Sequence, residues 1–141
     1  MSGSRSQARH KAVQALYQYQ LAGGSGSGIC QQFLAEGLGR ADEAYFETLV
    51  RGVLRDREML DTQLDPAVSR GAAQLDPVEH AILWIGLYEL QHELSVPYRV
   101  VLDEAIELAK RFGAPESHRL VNAVLAPLRA EGVEHERGRR A

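Results

Sequence analysis

Apolar residues in this chain recur three and four positions apart, and the alternating β-branched runs that mark strands are missing. The pattern predicts an all-α fold. Ala8, Ala12, Ala15, Leu16 and Tyr19 mark a first helix over roughly 5–21, and Ser4 precedes Gln7 at capping-box spacing. The run from Gly23 to Gly28 contains only Gly and Ser, which lose much entropy on ordering, and reads as a flexible loop. No Gly-Lys-Ser or Gly-Lys-Thr follows it, so it is not a phosphate loop. A short helix over 29–37 turns Ile29, Phe33 and Leu34 inward. Asp42 caps a long helix over about 42–64, with Tyr45 or Phe46, Leu49, Val53, Leu60 and Leu64 on its apolar face. Arg55-Asp56-Arg57-Glu58 in its middle faces water, Asp65-Pro66 ends it, and a short turn occupies 67–70.

Asp76-Pro77-Val78-Glu79 is a strong helix start: an N-cap, a proline at the first helical position and an acid at the positive end of the helix dipole. The stretch Ala81 to Tyr88 that follows is apolar on every side before polar residues resume, which places this helix at the centre of the fold. Gly86 would let another backbone approach it closely. After Pro97 a helix over about 98–112 has Val101, Leu102, Ala105, Ile106 and Ala109 inside, and Asp103, Glu104, Glu107, Lys110 and Arg111 outside. Gly113 reads as its C-terminal cap. The last helix starts after Pro115 and buries Leu120, Val121, Val124 and Leu128, with Pro127 expected to kink or end it. Residues 132–141 lack periodicity and read as a mobile tail.

The length of 141 residues fits one domain, 1–141, and needs no disulfide or metal to fold. The single cysteine, Cys30, excludes an intramolecular disulfide and multi-cysteine zinc sites, and reads as a small apolar core residue. Neither a signal-peptide run nor a membrane span is present, so a cytoplasmic protein without membrane contact is expected. The net charge of −3 argues against bulk nucleic-acid binding, but its placement matters more. A basic N-terminal arm, about 1–11, carries Arg5, Arg9, His10 and Lys11 and no acid; the tail carries Arg137, Arg139 and Arg140. Local basic segments on an acidic body either hold phosphates or are merely solvated. His80 and His92 are not arranged with a carboxylate as metal ligands would be and read as ordinary histidines. Asp103 and Glu107 share a face that reads as solvated, and nothing converges into a polar pocket, so no catalytic role and no cofactor are expected.

Several blocks together resemble a known family. They are Ala12 to Tyr17; Glu79 to Leu83, followed by Tyr88-Glu89-Leu90; the long run Val96 to Lys110 with Phe112-Gly113; and Ser117 to Leu125. In order and spacing, over about residues 5–130, they resemble the bacterial NusB transcription antitermination proteins. The resemblance implies a fold of two packed three-helix bundles with short connections. It implies pairing with a ribosomal protein called NusE, joint binding of boxA-type single-stranded RNA, and entry into an RNA polymerase antitermination complex with other Nus factors that serves ribosomal RNA operons. The chain departs from the family pattern at Ser6 and Gln7, where basic residues are common, in the Gly-Ser run, and at Ala123 and Ala126. The alternatives are a helical protein-interaction module, or the NusB-like domain of an RNA cytosine methyltransferase, which would make this chain part of a longer protein.

Single-stranded RNA is held by phosphate contacts and by bases stacked on aromatic or guanidinium planes. Arg5, Arg9 and Lys11 supply charge, and His10, Gln14 and Tyr17 continue along the first helix at three- and four-residue spacing. Tyr17 either stacks on a base or is a core residue with its hydroxyl at the surface. By resemblance, Glu116, Ser117, His118 and Arg119 at the start of the last helix lie near the same surface, where Glu116 opposes an anion and serves base-edge contact or negative discrimination. Glu79, Trp84, Tyr98 and Arg99, on the central helix and the start of the next, are candidate contacts to a protein partner, and the resemblance places the ribosomal protein in this general region.

Overall fold

The computed structural model describes the backbone of residues 3–140 and the side chains of residues 3–128. Ser4 begins the first helix, its Oγ accepting from the Gln7 amide at 3.0 Å, so α1 spans Arg5–Ala22. Ser4 also exchanges backbone hydrogen bonds with the segment ahead of the third helix: its amide donates to Arg40 O and its carbonyl accepts from Asp42 N. The basic arm is thereby fastened down on one side from its fourth residue.

The Gly-Ser run is shorter as a loop than its composition suggests. Gly23, at φ 76°, closes α1, and Ser25 Oγ accepts from Gly28 N to start α2, Gly26–Glu36. Three residues expected in the loop, Gly26 to Gly28, therefore form the first turn of a helix, because a serine cap supplies the acceptor that the first amides need. Asp42 caps α3, Glu43–Leu64, by accepting from Tyr45 N at 3.0 Å. Two 3-10 turns, Asp65–Ala67 and Ala72–Gln74, lead onward instead of one turn at 67–70; Asp65 Oδ1 ties them by accepting from Ala72 N. Asp76 Oδ1 then accepts from Val78 N and Glu79 N to open α4, Pro77–His92. Helices α5, Tyr98–Phe112, and α6, Ser117–Arg140, follow. The α6 backbone runs on past Pro127 rather than ending there. The tail expected to be mobile, 132–141, lies outside the described side chains.

Helices α1 to α3 pack as one bundle and α4 to α6 as a second. The two share one core, because α4 also packs on α1 and α3. Every residue of α4 from Ala81 to Leu90 is buried, as an all-round apolar helix at the centre requires. Two glycines on α3 and α4 allow close packing against facing side chains. A Cβ on Gly86 would meet Leu125 Cδ1 at 2.6 Å, so the close neighbour there is a side chain of α6 and not another backbone. A Cβ on Gly52 would overlap the buried ring of Tyr88 and so prise α3 from α4. Gly52→Ala is therefore expected to lower stability by about 1–3 kcal/mol through overpacking. Urea unfolding checks this, and a midpoint at or above wild type would contradict the packing.

Candidate nucleic-acid interface

The basic residues of α1 divide by their position around the helix. Arg9 lies at i, i+3, i+4 and i+7 with Ala12, Val13 and Leu16, which is the inner face, and only 3% of it is exposed. Its Nε and Nη2 donate to the Glu89 carboxylate at 2.8 to 3.1 Å, and Glu89 is itself 1% exposed at the centre of α4. The Tyr45 hydroxyl, from α3, also donates to Glu89 in a short hydrogen bond. Burial, followed by the neighbouring Glu89, pushes the ionisation of this phenol far up, so it stays a donor. Arg9 Nη1 lies 3.5 Å from Glu104, which also accepts from Ser6 Oγ. Arg9, expected among the phosphate contacts, is therefore the buried partner of two carboxylates, and Glu104, expected to face water, joins α5 to α1.

The remaining arm residues stay at or near the surface. Arg5 is exposed, with its guanidinium 4.3 Å from the centre of the Tyr45 ring. Lys11 is half-buried and Gln14 exposed. His10 is half-buried edge-on to Phe112, with ring centres 5.7 Å apart. Burial, with a smaller contribution from Arg111, pushes its pKa down, so the ring is neutral at pH 7 and adds no charge. Tyr17 is 40% exposed, which places a large part of its ring in solvent.

The start of α6 lies near this face through intermediates on α5 and α4. His10 touches Phe112, the last residue of α5, just ahead of the α6 start. One turn beyond Tyr17, Gln20 Nε2 donates to Pro77 O at the start of α4, and Ser117 Oγ donates to Glu79 Oε2 at 2.6 Å. His10, Gln14, Tyr17, Glu79 and the 116–119 turn thus border one surface. Ser117 is buried in that hydrogen bond, while Glu116 and Arg119 are exposed and pair with each other at 3.2 Å. His118 is half-buried.

The candidate partner residues are not brought together. Glu79 borders the α1/α6 surface. Trp84 is 3% exposed, stacks on His80, and donates Nε1 to Asp61, so it is a core residue rather than a docking surface. Tyr98 and Arg99 are exposed at the start of α5, about 20 Å along that helix from Phe112. His80 Nε2 also contacts Asp61, at 2.6 Å, and His92 lies 3.4 Å from Asp56. Cys30 is buried, and burial pushes its thiol pKa up, as a core residue requires.

The NusB family model matches residues 6–129. The chain belongs to the NusB family. It is 55% identical over 121 residues to a protein of Halorhodospira halophila named transcription antitermination protein NusB, covering 86% of this chain and 78% of that one. It is 47% identical over 135 residues to the protein of the same name from Xanthomonas campestris pv. campestris, covering 95% and 85%. Among solved structures, NusB of T. maritima superposes with a TM-score of 0.85 at 27% identity, over 93% of this chain and 94% of that one. A structure described as antitermination factors NusB and NusE in complex with dsRNA superposes with a TM-score of 0.80 at 25% identity, over 90% and 96%. The paired three-helix bundles are thus the NusB fold.

Within that fold, Glu89, Tyr45 and Glu104 are the functional-looking residues that sequence reasoning did not single out. A signal for them existed. Arg9 sits among alanines of the inner face and Glu89 interrupts an apolar run, and two opposite charges in two inward positions point to each other. Removing one partner of a buried pair strands the other, so Arg9→Ala is expected to cost about 3–5 kcal/mol. Chemical denaturation checks this. A stability loss no larger than that of Lys11→Ala would show that Arg9 is not part of the core.

Proposed function

We propose that this chain is a transcription antitermination factor that binds boxA-type single-stranded RNA together with the NusE ribosomal protein. In this reading the complex joins RNA polymerase and other Nus factors in the cytoplasm and supports processive transcription of ribosomal RNA operons. The names of the relatives and of the neighbouring NusB–NusE–RNA structure support the general role. The observation that carries it in this chain is the shared border of His10, Gln14, Tyr17 and the α6 start.

The chemistry favours an unpaired strand. An exposed tyrosine ring and a neutral imidazole offer stacking planes, and stacking requires a base free of its own duplex. Lys11, Arg5 and Arg119 supply the charge for phosphates, with Arg9 withdrawn into the core. Glu79 and Glu116 disfavour phosphate near the α6 start and suit donor groups on base edges. The partner adds contacts on the same strand without a second association cost, which tightens the assembly.

Binding measured with single-stranded and duplex RNA, with and without the ribosomal partner, tests the reading. Tyr17→Ala is expected to weaken single-strand binding by about 1–3 kcal/mol while leaving melting nearly unchanged. The partner is expected to tighten wild-type binding. Unchanged affinity in the Tyr17 variant would place the RNA elsewhere, and a preference for duplex RNA would overturn the single-strand assignment.

A further inference from the structure

A cleft of about 440 Å³ opens between the end of α1, the start of α2 and the middle of α3. Three arginines, Arg51, Arg55 and Arg57, line it with Tyr19 and the Ser25–Ser27 turn, and no acid is among its lining residues. We propose that this cleft is a second phosphate-binding surface, which takes the RNA backbone beyond the element held on the α1/α6 face. The proposal rests on the RNA-binding reading above and extends it to a surface that reading does not use.

The charged stretch of α3 is not simply a solvated stripe. Arg51 and Arg55, four apart, share a face and are 49% and 65% exposed at their side chains. Arg55 gives Nε and Nη2 to Asp56, and Arg51 approaches Glu47 only to 3.8 Å. A guanidinium has five donors in a fixed fork, so both keep N–H groups for a further anion. Arg57 is held by a 2.6 Å hydrogen bond from Nη1 to Leu54 O, with its guanidinium 5.7 Å from the Tyr19 ring centre. The opposite wall is serine and glycine, whose small side chains leave room for a sugar-phosphate chain.

Topology selects the occupant. Tyr17 and Tyr19 are two residues apart, about 200° around α1, so the cleft faces away from the expected stacking surface. Lys11 and Tyr19 are about 12 Å apart along the same helix. A strand leaving Tyr17 reaches the cleft by rounding the end of α1 at Gly23. A continuing RNA backbone fits that path, and a second base-reading site does not, because Tyr19 is half-buried under Arg57.

The test uses the full chain and two RNAs, one carrying the boxA-type element alone and one extended by unrelated sequence, first at one end and then at the other. Wild type is expected to bind one extended RNA more tightly. Its salt slope should be steeper by roughly 0.7 per added phosphate, about 2 in all for three contacts. Arg51→Gln/Arg55→Gln/Arg57→Gln should lose that gain and keep its affinity for the short RNA, and the corresponding Lys variant should retain most of the slope. Should the triple variant melt low because Arg57 covers Tyr19, the Arg51→Gln/Arg55→Gln pair at exposed positions carries the same comparison. A Gln variant that keeps the full gain on extended RNA overturns the proposal, as does a wild type that gains nothing from either extension. Loss of wild-type binding to the short RNA would instead sink the single-strand element reading, since the cleft is judged only by the difference between wild type and variant on extended RNA.

Discussion

The carboxylate of Glu89 sits where α1, α3 and α4 meet, and three donors reach it: two from Arg9 and one from Tyr45. A lone charge at such a position would cost several kcal/mol in lost hydration, so the site exists only because the facing bundle supplies its hydrogen bonds, from α1 and α3. The consequence is geometric. Arg9 shares the inner face of α1 with Ala12, Val13 and Leu16, which leaves Arg5, Gln14 and Tyr17 outside. Arg5 stacks over Tyr45, and Ser6 reaches Glu104 on α5. The pair ties α1 to α4 through the core.

This arrangement divides the basic residues of the arm between two places. One arginine joins the bundles, while Arg5 is exposed and Lys11 half-buried at the surface. Glu79 takes part in a similar join at the other end, where it accepts from Ser117 and ties the α6 start to α4. Neutral His10 and exposed Tyr17 lie between these two anchors. The surface is thus framed by polar contacts between elements distant in sequence, which keeps its planes and charges at fixed spacing and lowers the entropy cost of binding.

Most of the helices were legible because their signals are local. Asp42 and Asp76 cap where capping chemistry places them, and the apolar run of α4 is buried throughout. The Gly-Ser run misled because composition speaks to entropy, whereas one serine oxygen is enough to start a helix. Helical spacing put Tyr17 and Gln14 on one outer face of α1, and both are exposed there. Trp84 was misplaced as a partner contact because an aromatic on an all-apolar helix gives no sign of which side is outside. Glu104 looked solvated because its partners, Ser6 and Arg9, are nearly a hundred residues away and no periodicity within α5 reports them.

The central claim is that Arg9 belongs to the core and not to the RNA surface. It is tested most directly by replacing the buried polar set as a unit, Arg9→Met/Tyr45→Phe/Glu89→Leu, together with Glu104→Gln so that no carboxylate loses its arginine, and measuring RNA affinity on the folded variant. Apolar replacement of a complete buried ion pair is often neutral or stabilising, so the variant is expected to fold and to bind RNA like wild type, with an unchanged salt slope. A variant that melts normally yet has lost RNA affinity and a phosphate's share of the salt slope would contradict the account.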